Sequence, residues 1–154
     1  MAHMECRTKW KGEMGFESHI RQHKLTMDAK SEVGGKDQGP TPKELLLASI
    51  CGCSGMDVAS ILKKMRVNLL SCEVNAQTDT TKGYPSIFEE VKLQYHIEGS
   101  DIKADQAMKA VTLSMTKYCG VSAMVAKASP MTFEVFLNGQ KVGEGKADFE
   151  GAEK

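Results

Sequence analysis

The sequence predicts an α+β fold in which antiparallel strands are segregated from helices. Three observations lead there. Residues 6–28 carry three short runs of alternating side chains on tight turns. A strong helix start follows at Thr41-Pro42-Lys43-Glu44. Two further strand patterns, a helical stripe and a last strand complete the order. Strands in hairpins set apart from helices define that class rather than a parallel α/β sheet.

The first strand is read from Cys6, Thr8 and Trp10 alternating with Glu5, Arg7 and Lys9. Gly12 turns the chain. Met14, Phe16, Ser18 and Ile20 mark a second strand, and Lys24 to Asp28 a short third, which together suggest an antiparallel meander. A glycine-rich loop with Gly34, Gly35, Gly39 and Pro40 leads to the helix start. There Thr41 is the expected N-cap, Pro42 the first helical residue and Glu44 the acid of a capping box. The helix is expected to reach about Arg66, roughly 35 Å in length. Its first half is apolar almost all round, from Leu45 through Leu47, Ile50 and Cys53 to Met56, which predicts burial on all sides. In so short a chain such burial calls for a second subunit.

Cys72, Val74, Ala76 and Thr78 alternate as a strand. After the turn at Lys82-Gly83-Tyr84-Pro85, so do Ile87, Val91, Leu93, Tyr95 and Ile97. Ala104, Met108, Val111, Met115 and Tyr118 form the stripe of an amphipathic helix. Gly120 interrupts it, and Val121 to Lys127 reads as one more short helical piece. Met131 to Leu137 is the last expected strand, before an Asn138-Gly139 turn. Residues 1–142 are thus expected to form a single domain and 143–154 a loose, charged tail.

The 154 residues suffice for one domain with a real core. Lys+Arg and Asp+Glu are both 20, so the chain lacks the electrostatic footprint of a nucleic-acid or acidic-membrane partner. The first eleven residues are polar, with no apolar signal segment. The strongly apolar stretch from Leu45 to Val58 is too short to span a bilayer and contains Asp57. A soluble cytoplasmic protein is the expectation. Five cysteines in no disulfide-scaffold spacing then default to free thiols. Ten methionines fit a soft core or, alternatively, a pocket for a flexible apolar ligand.

Two motifs carry a family resemblance. Gly39-Pro-Thr-Pro-Lys-Glu-Leu-Leu-Leu-Ala-Ser-Ile-Cys-Gly-Cys53-Ser-Gly-Met-Asp places a cysteine eleven residues after Pro42, and Lys117-Tyr-Cys119-Gly-Val-Ser supplies a second. Both, with the strand order from Met4 to Asn138, resemble the OsmC/Ohr family. The Glu32-Val-Gly-Gly35 loop and Gly-Cys53-Ser-Gly-Met-Asp-Val point to a YhfA-like branch. The resemblance implies an OsmC-like fold: antiparallel sheets around a long buried central helix in an intertwined homodimer. It implies that Cys53 and Cys119 meet near the interface. It also implies reduction of small organic hydroperoxides, with a dithiol reductant of lipoyl type and no metal or organic cofactor.

The implied chemistry sets Cys53 as the thiolate that attacks peroxide and Cys119 as the thiol that resolves its sulfenic acid. Cys119 sits where a helix begins, a position that lowers a thiol pKa. Cys53 lies mid-helix with Asp57 four residues on, and a carboxylate there disfavours a thiolate. The family's peroxidases answer with an arginine in the turn after the first strand. That stretch here is Lys11-Gly-Glu-Met-Gly, without arginine. Lys43 stands where those peroxidases have a partner glutamate directly after the proline, and Glu44 comes one later. Around a straight helix Glu44 lies about 180° and Lys43 about 80° from Cys53. Glu44 is therefore read first as a cap, and Lys43 as a candidate for the missing cation. Cys51 and Cys53 point about 200° apart and cannot share an ion. His3, His19, His23 and His96 have no ligand spacing. Cys6, Cys51 and Cys72 are read as core thiols. The alternative to the enzyme is a non-catalytic binding module of the same fold, with an apolar pocket at the dimer interface.

Overall fold

The computed structural model describes residues 2–151 and arranges them as two sheets and three α-helices. The chain divides into two compact units, Met1–Leu46 and Leu47–Lys154, with the division inside a helix.

The first unit is the anticipated meander. Strands β1 (Arg7–Gly12), β2 (Gly15–Ile20) and β3 (His23–Met27) pair antiparallel in the order β1-β2-β3. Trp10 lies opposite Phe16, and Phe16 opposite Met27. Asp28 follows, buried, and its carboxylate accepts hydrogen bonds from the backbone N–H groups of Ala29, Lys36 and Gln38. Those bonds hold the glycine-rich loop that leads to helix α1 (Pro42–Lys64). The capping box forms as expected. Thr41 N–H donates to the Glu44 carboxylate at 2.8 Å, and Glu44 N–H donates to Thr41 Oγ1 at 3.4 Å.

The second unit holds the core. Strands β4 (Ser71–Gln77), β5 (Val91–Glu98), β6 (Met131–Leu137) and β7 (Gln140–Lys146) form one sheet in sequence order. The β4–β5 and β6–β7 pairs are antiparallel, and β5–β6 is parallel. This corrects the wholly antiparallel expectation. The segment between β5 and β6 contains α2 (Ala104–Leu113) and α3 (Gly120–Val125), so the chain crosses over and returns in the same direction. Val91, Leu93, Tyr95 and Ile97 on β5 join Met131, Phe133 and Val135 on β6 in the buried cluster, with Ala107, Ala110, Val111 and Met115.

Strand β7 overturns the expected looseness of residues 143–146, while residues 152–154 of the expected tail lie outside the described residues. Gly143 and Gly145 belong to β7 and pair with Val135 and Phe133. A Cβ on Gly143 would fall 2.6 Å from Met108 Sδ, and one on Gly145 2.6 Å from Phe133 Cζ. The small residues that suggest looseness in sequence instead permit close approach. Ala147 and Asp148 still bond back to Met131 and Met115.

Helix α1 has the length and apolarity of a membrane span. Its buried residues are Ile50, Ser54, Val58 and Leu62, one stripe four residues apart, and the three apolar ones enter the core. Within one chain burial all round, as expected from Leu45 to Met56, does not occur: Leu46 is exposed and Met56 is 75 % exposed. Beside the stripe Leu47, Cys51 and Ile61 are partly buried against the core, so the cover is graded around the helix rather than complete.

Candidate active site

Helix α1 sets Cys53 and Asp57 on one face, one turn apart. The second sulfur comes from a feature with no sequence signature. Helix α2 ends in a π-helical turn, Ser114–Tyr118, closed by Cys119 N–H donating to Ser114 C=O at 2.9 Å. Single π turns inside helices concentrate at functional sites. This one widens the helix by a residue, and Cys119 then adopts an extended conformation as the N-cap of α3. The result is a cluster: Cys53 Sγ, an Asp57 carboxylate oxygen and Cys119 Sγ all lie within 4.8 Å of one another.

Hydroxyl groups support the cluster. Asp57 accepts a hydrogen bond from Ser114 Oγ at 2.9 Å. Ser114 Oγ lies 2.8 Å from Ser54 Oγ, which lies 2.6 Å from Tyr95 Oη. Ser54, Tyr95 and Ser114 are all fully buried. Burial pushes the Tyr95 hydroxyl well above its ordinary range, against the Ser54 hydrogen bond, so it stays protonated and able to donate. Ser122 Oγ lies 3.0 Å from Cys119 Sγ, and Ser122 N–H donates to that sulfur at 3.3 Å.

Cys119 itself is 0 % exposed, whereas Cys53 is half-buried. The helix start does not lower the Cys119 pKa as anticipated. Burial pushes it from 9.0 up to about 11; the two Ser122 hydrogen bonds oppose that shift, and the neighbouring Cys53 adds to it. Desolvation thus outweighs the short α3 terminus.

The supporting residues divide. Asp57 is in the cluster. Glu44 is occupied in the capping box, and the Thr41 backbone hydrogen bond holds its carboxyl below the usual range. Lys43 is exposed in the first turn of α1. Among the described residues neither Lys43 nor Asp57 takes part in an ion pair, and no arginine does. Cys51 and Cys72 pack against the core, and burial raises both thiols. Cys6, expected in the core, is exposed ahead of β1. A groove of about 310 Å³ opens beside Asp57, lined by Ile61, Met65, Leu113 and Tyr118 with Ser60 and Lys64.

Sequence reasoning did not single out Ser54, Tyr95, Ser114 or Ser122 as parts of the site. Ser122 had a signal: three residues after Cys119, it stands where a capped helix start places a backbone N–H over the cap side chain. Ser54, Tyr95 and Ser114 had none, since their bonds join positions 41 and 60 residues apart.

Residues 35–134 match the family profile described as OsmC-like protein, well over half of the chain. The chain belongs to the OsmC family. Protein YhfA of Escherichia coli (strain K12) is 35 % identical over 130 residues, which cover 84 % of this chain and 94 % of YhfA. A crystal structure of an Aquifex aeolicus VF5 protein shares 31 % identity, covers 90 % of this chain and 99 % of its own, and superposes with a TM-score of 0.77. An organic hydroperoxide resistance protein from Elizabethkingia anophelis has a TM-score of 0.69 at 14 % identity, covering 90 % of this chain and 98 % of its own. That last likeness is one of OsmC fold. The two cysteine motifs of this OsmC chain, on α1 and at the head of α3, are the pair brought together in the cluster.

Proposed function

We propose that the protein is a thiol-dependent reductase of small organic hydroperoxides with a two-cysteine mechanism. The observation that carries the reading is the approach of Cys53 Sγ and Cys119 Sγ to within 4.8 Å across elements 66 positions apart. The hydroperoxide resistance protein of the same fold supports the substrate class.

In the reaction, the Cys53 thiolate attacks the outer peroxide oxygen. The O–O bond breaks, and the alkoxide leaves and takes a proton to become the alcohol. Cys53 is then a sulfenic acid. Cys119 attacks its sulfur; the hydroxyl group leaves with the Cys119 proton as water, and a disulfide remains. A dithiol, lipoyl-type by family resemblance, reopens that bond by exchange. The order follows exposure. Half-buried Cys53 can meet substrate, and the enclosed, protonated Cys119 is kept for the second step. The groove at Asp57 offers an apolar wall of Ile61, Met65, Leu113 and Tyr118 to the substrate's organic group.

The working unit of this proposal is a homodimer. Apolar side chains stand open on both units: Trp10 at 65 % and Phe16 on the first, Met56, Leu70 and Met124 on the second. Surfaces of that kind mark association sites. The setting is a reducing compartment such as the cytoplasm, where all five cysteines stay free.

Turnover tests the reading. The reduced protein with cumene hydroperoxide and a dithiol should consume peroxide catalytically. Cys53→Ser should abolish consumption, and Cys72→Ser should leave it unchanged. Equal rates in wild type and Cys53→Ser contradict the reading and favour a non-catalytic binding module.

A further inference from the structure

The Cys53–Asp57–Cys119 cluster contains more than a peroxide-reducing dithiol requires. A carboxylate stands beside two thiols, all three groups become negative on deprotonation, and among the described residues no cation pairs with Asp57. The carboxylate does not point there by default. Ser114, itself tied to Ser54 and Tyr95, holds one of its oxygens and so fixes the orientation of the other. Hydrogen bonds that orient a ligating carboxylate are the usual outer support of a metal site. Ser122 provides the same for Cys119, through its backbone N–H and hydroxyl.

We propose that the reduced Cys53–Cys119 pair and Asp57 form a binding site for Zn²⁺, with a fourth position left to water. The donor set fits that ion: two thiolates and one carboxylate suit borderline-soft zinc, whereas magnesium or calcium would need oxygen donors throughout. The dimensions fit as well. Zinc takes sulfur at about 2.3 Å and carboxylate oxygen at about 2.0–2.2 Å in a tetrahedron. That geometry sets sulfur atoms about 3.8 Å apart, so the present limit of 4.8 Å closes by about 1 Å at most. Cys53 and Asp57 are one helical turn apart on α1, a rigid frame for two of the three ligands. Binding displaces the thiol protons, and the ion's charge offsets the cost of a buried and a half-buried thiolate beside a carboxylate.

The binding does not rest on the reductase reading, but its consequence does. Zinc and peroxide compete for the same two sulfurs. Oxidation by hydroperoxide converts the zinc-bound pair, with two protons, into a disulfide, an alcohol and water, and releases Zn²⁺. The metal form is thus the reduced, silent form of the dithiol.

The test uses reduced full-length protein and no peroxide, so its outcome is separate from that of the turnover assay. Co²⁺, as the spectroscopic stand-in, should bind at one equivalent with the visible bands of a tetrahedral ion and a sulfur-to-cobalt charge-transfer band. Zn²⁺ should displace it. In wild-type protein, one equivalent of Zn²⁺ should slow alkylation of Cys53 at least tenfold while exposed Cys6 reacts as before, and a chelator should reverse the protection. Asp57→Asn, which keeps an acceptor for Ser114, should weaken Co²⁺ at least tenfold, and Cys119→Ser should weaken both binding and the charge-transfer band. Prior oxidation to the disulfide should abolish binding, an arm that needs no variant. Absence of a tetrahedral thiolate spectrum, protection of Cys6 instead of Cys53, or binding unchanged after oxidation overturns the proposal. So does affinity unchanged in both substituted proteins.

Discussion

Two thiols within 4.8 Å of each other sit in different environments. Cys119 has no exposed surface, and burial outweighs the Ser122 hydrogen bonds to raise its pKa to about 11. It therefore stays a thiol through neutral pH. Alkylation with mass-spectrometric readout should label Cys6 and Cys53 well before Cys119 at pH 7. Labelling of Cys119 should climb as pH rises toward 11. The sign for stability follows: the folded state holds this proton more tightly than the unfolded chain. The contribution is intact below the unfolded value of 9.0 and is lost as pH rises from there through about 11. Cys119 labelled as fast as Cys6 at pH 7 would contradict this account. Cys53, Cys119 and Asp57 were each legible as single residues, from motif position and a four-residue spacing. The family resemblance also implied that Cys53 and Cys119 meet; the side chains that support them were not legible. The hydroxyl chain through Ser54, Ser114 and Tyr95 depends on which faces of α1, α2 and β5 meet, and local sequence does not encode that.

At the level of elements, helix starts were the clearest signal. Thr41-Pro42-Lys43-Glu44 sets cap, proline and acid at fixed offsets, and the reciprocal bonds form as such a box requires. Glu44→Gln should therefore retain most peroxide turnover, because glutamine serves the same position. A loss of orders of magnitude with unchanged thermal stability would make Glu44 catalytic instead. The lowered Glu44 pKa means that the cap's contribution is present above the unfolded glutamate value and fades as pH falls through the lower folded one. Other elements were hidden for physical reasons. The apolar stripe from Ala104 to Tyr118 reads as one helix, yet the backbone passes through a π turn at Ser114–Tyr118, which periodicity does not register. Strand β7 was concealed by Gly143 and Gly145, whose value is the side chain they lack beside Met108 and Phe133. The parallel β5–β6 pair was concealed because direction is set by the crossover rather than by either strand's own pattern.

Across the whole molecule, the apolar first half of α1 predicted more burial than one chain supplies. Ile50, Ser54, Val58 and Leu62 take the covered stripe, while Leu46 and Met56 remain open. With Trp10, Leu70 and Met124, these side chains account for the proposed dimer. Sedimentation at micromolar concentration should show dimer alone, and Met56→Asp should shift it toward monomer. A wild-type protein that sediments as a stable folded monomer would remove that element of the proposal. The α+β class and the OsmC relationship were readable from strand order and two cysteine motifs because those are local patterns. The chemistry those motifs propose is read most directly from the bond they should form. One equivalent of cumene hydroperoxide added to reduced protein, followed by non-reducing peptide mapping, should yield a Cys53–Cys119 disulfide. In Cys119→Ser a dimedone-type reagent should capture a sulfenic acid on Cys53. A Cys53 that remains a free thiol under excess hydroperoxide contradicts the two-cysteine mechanism.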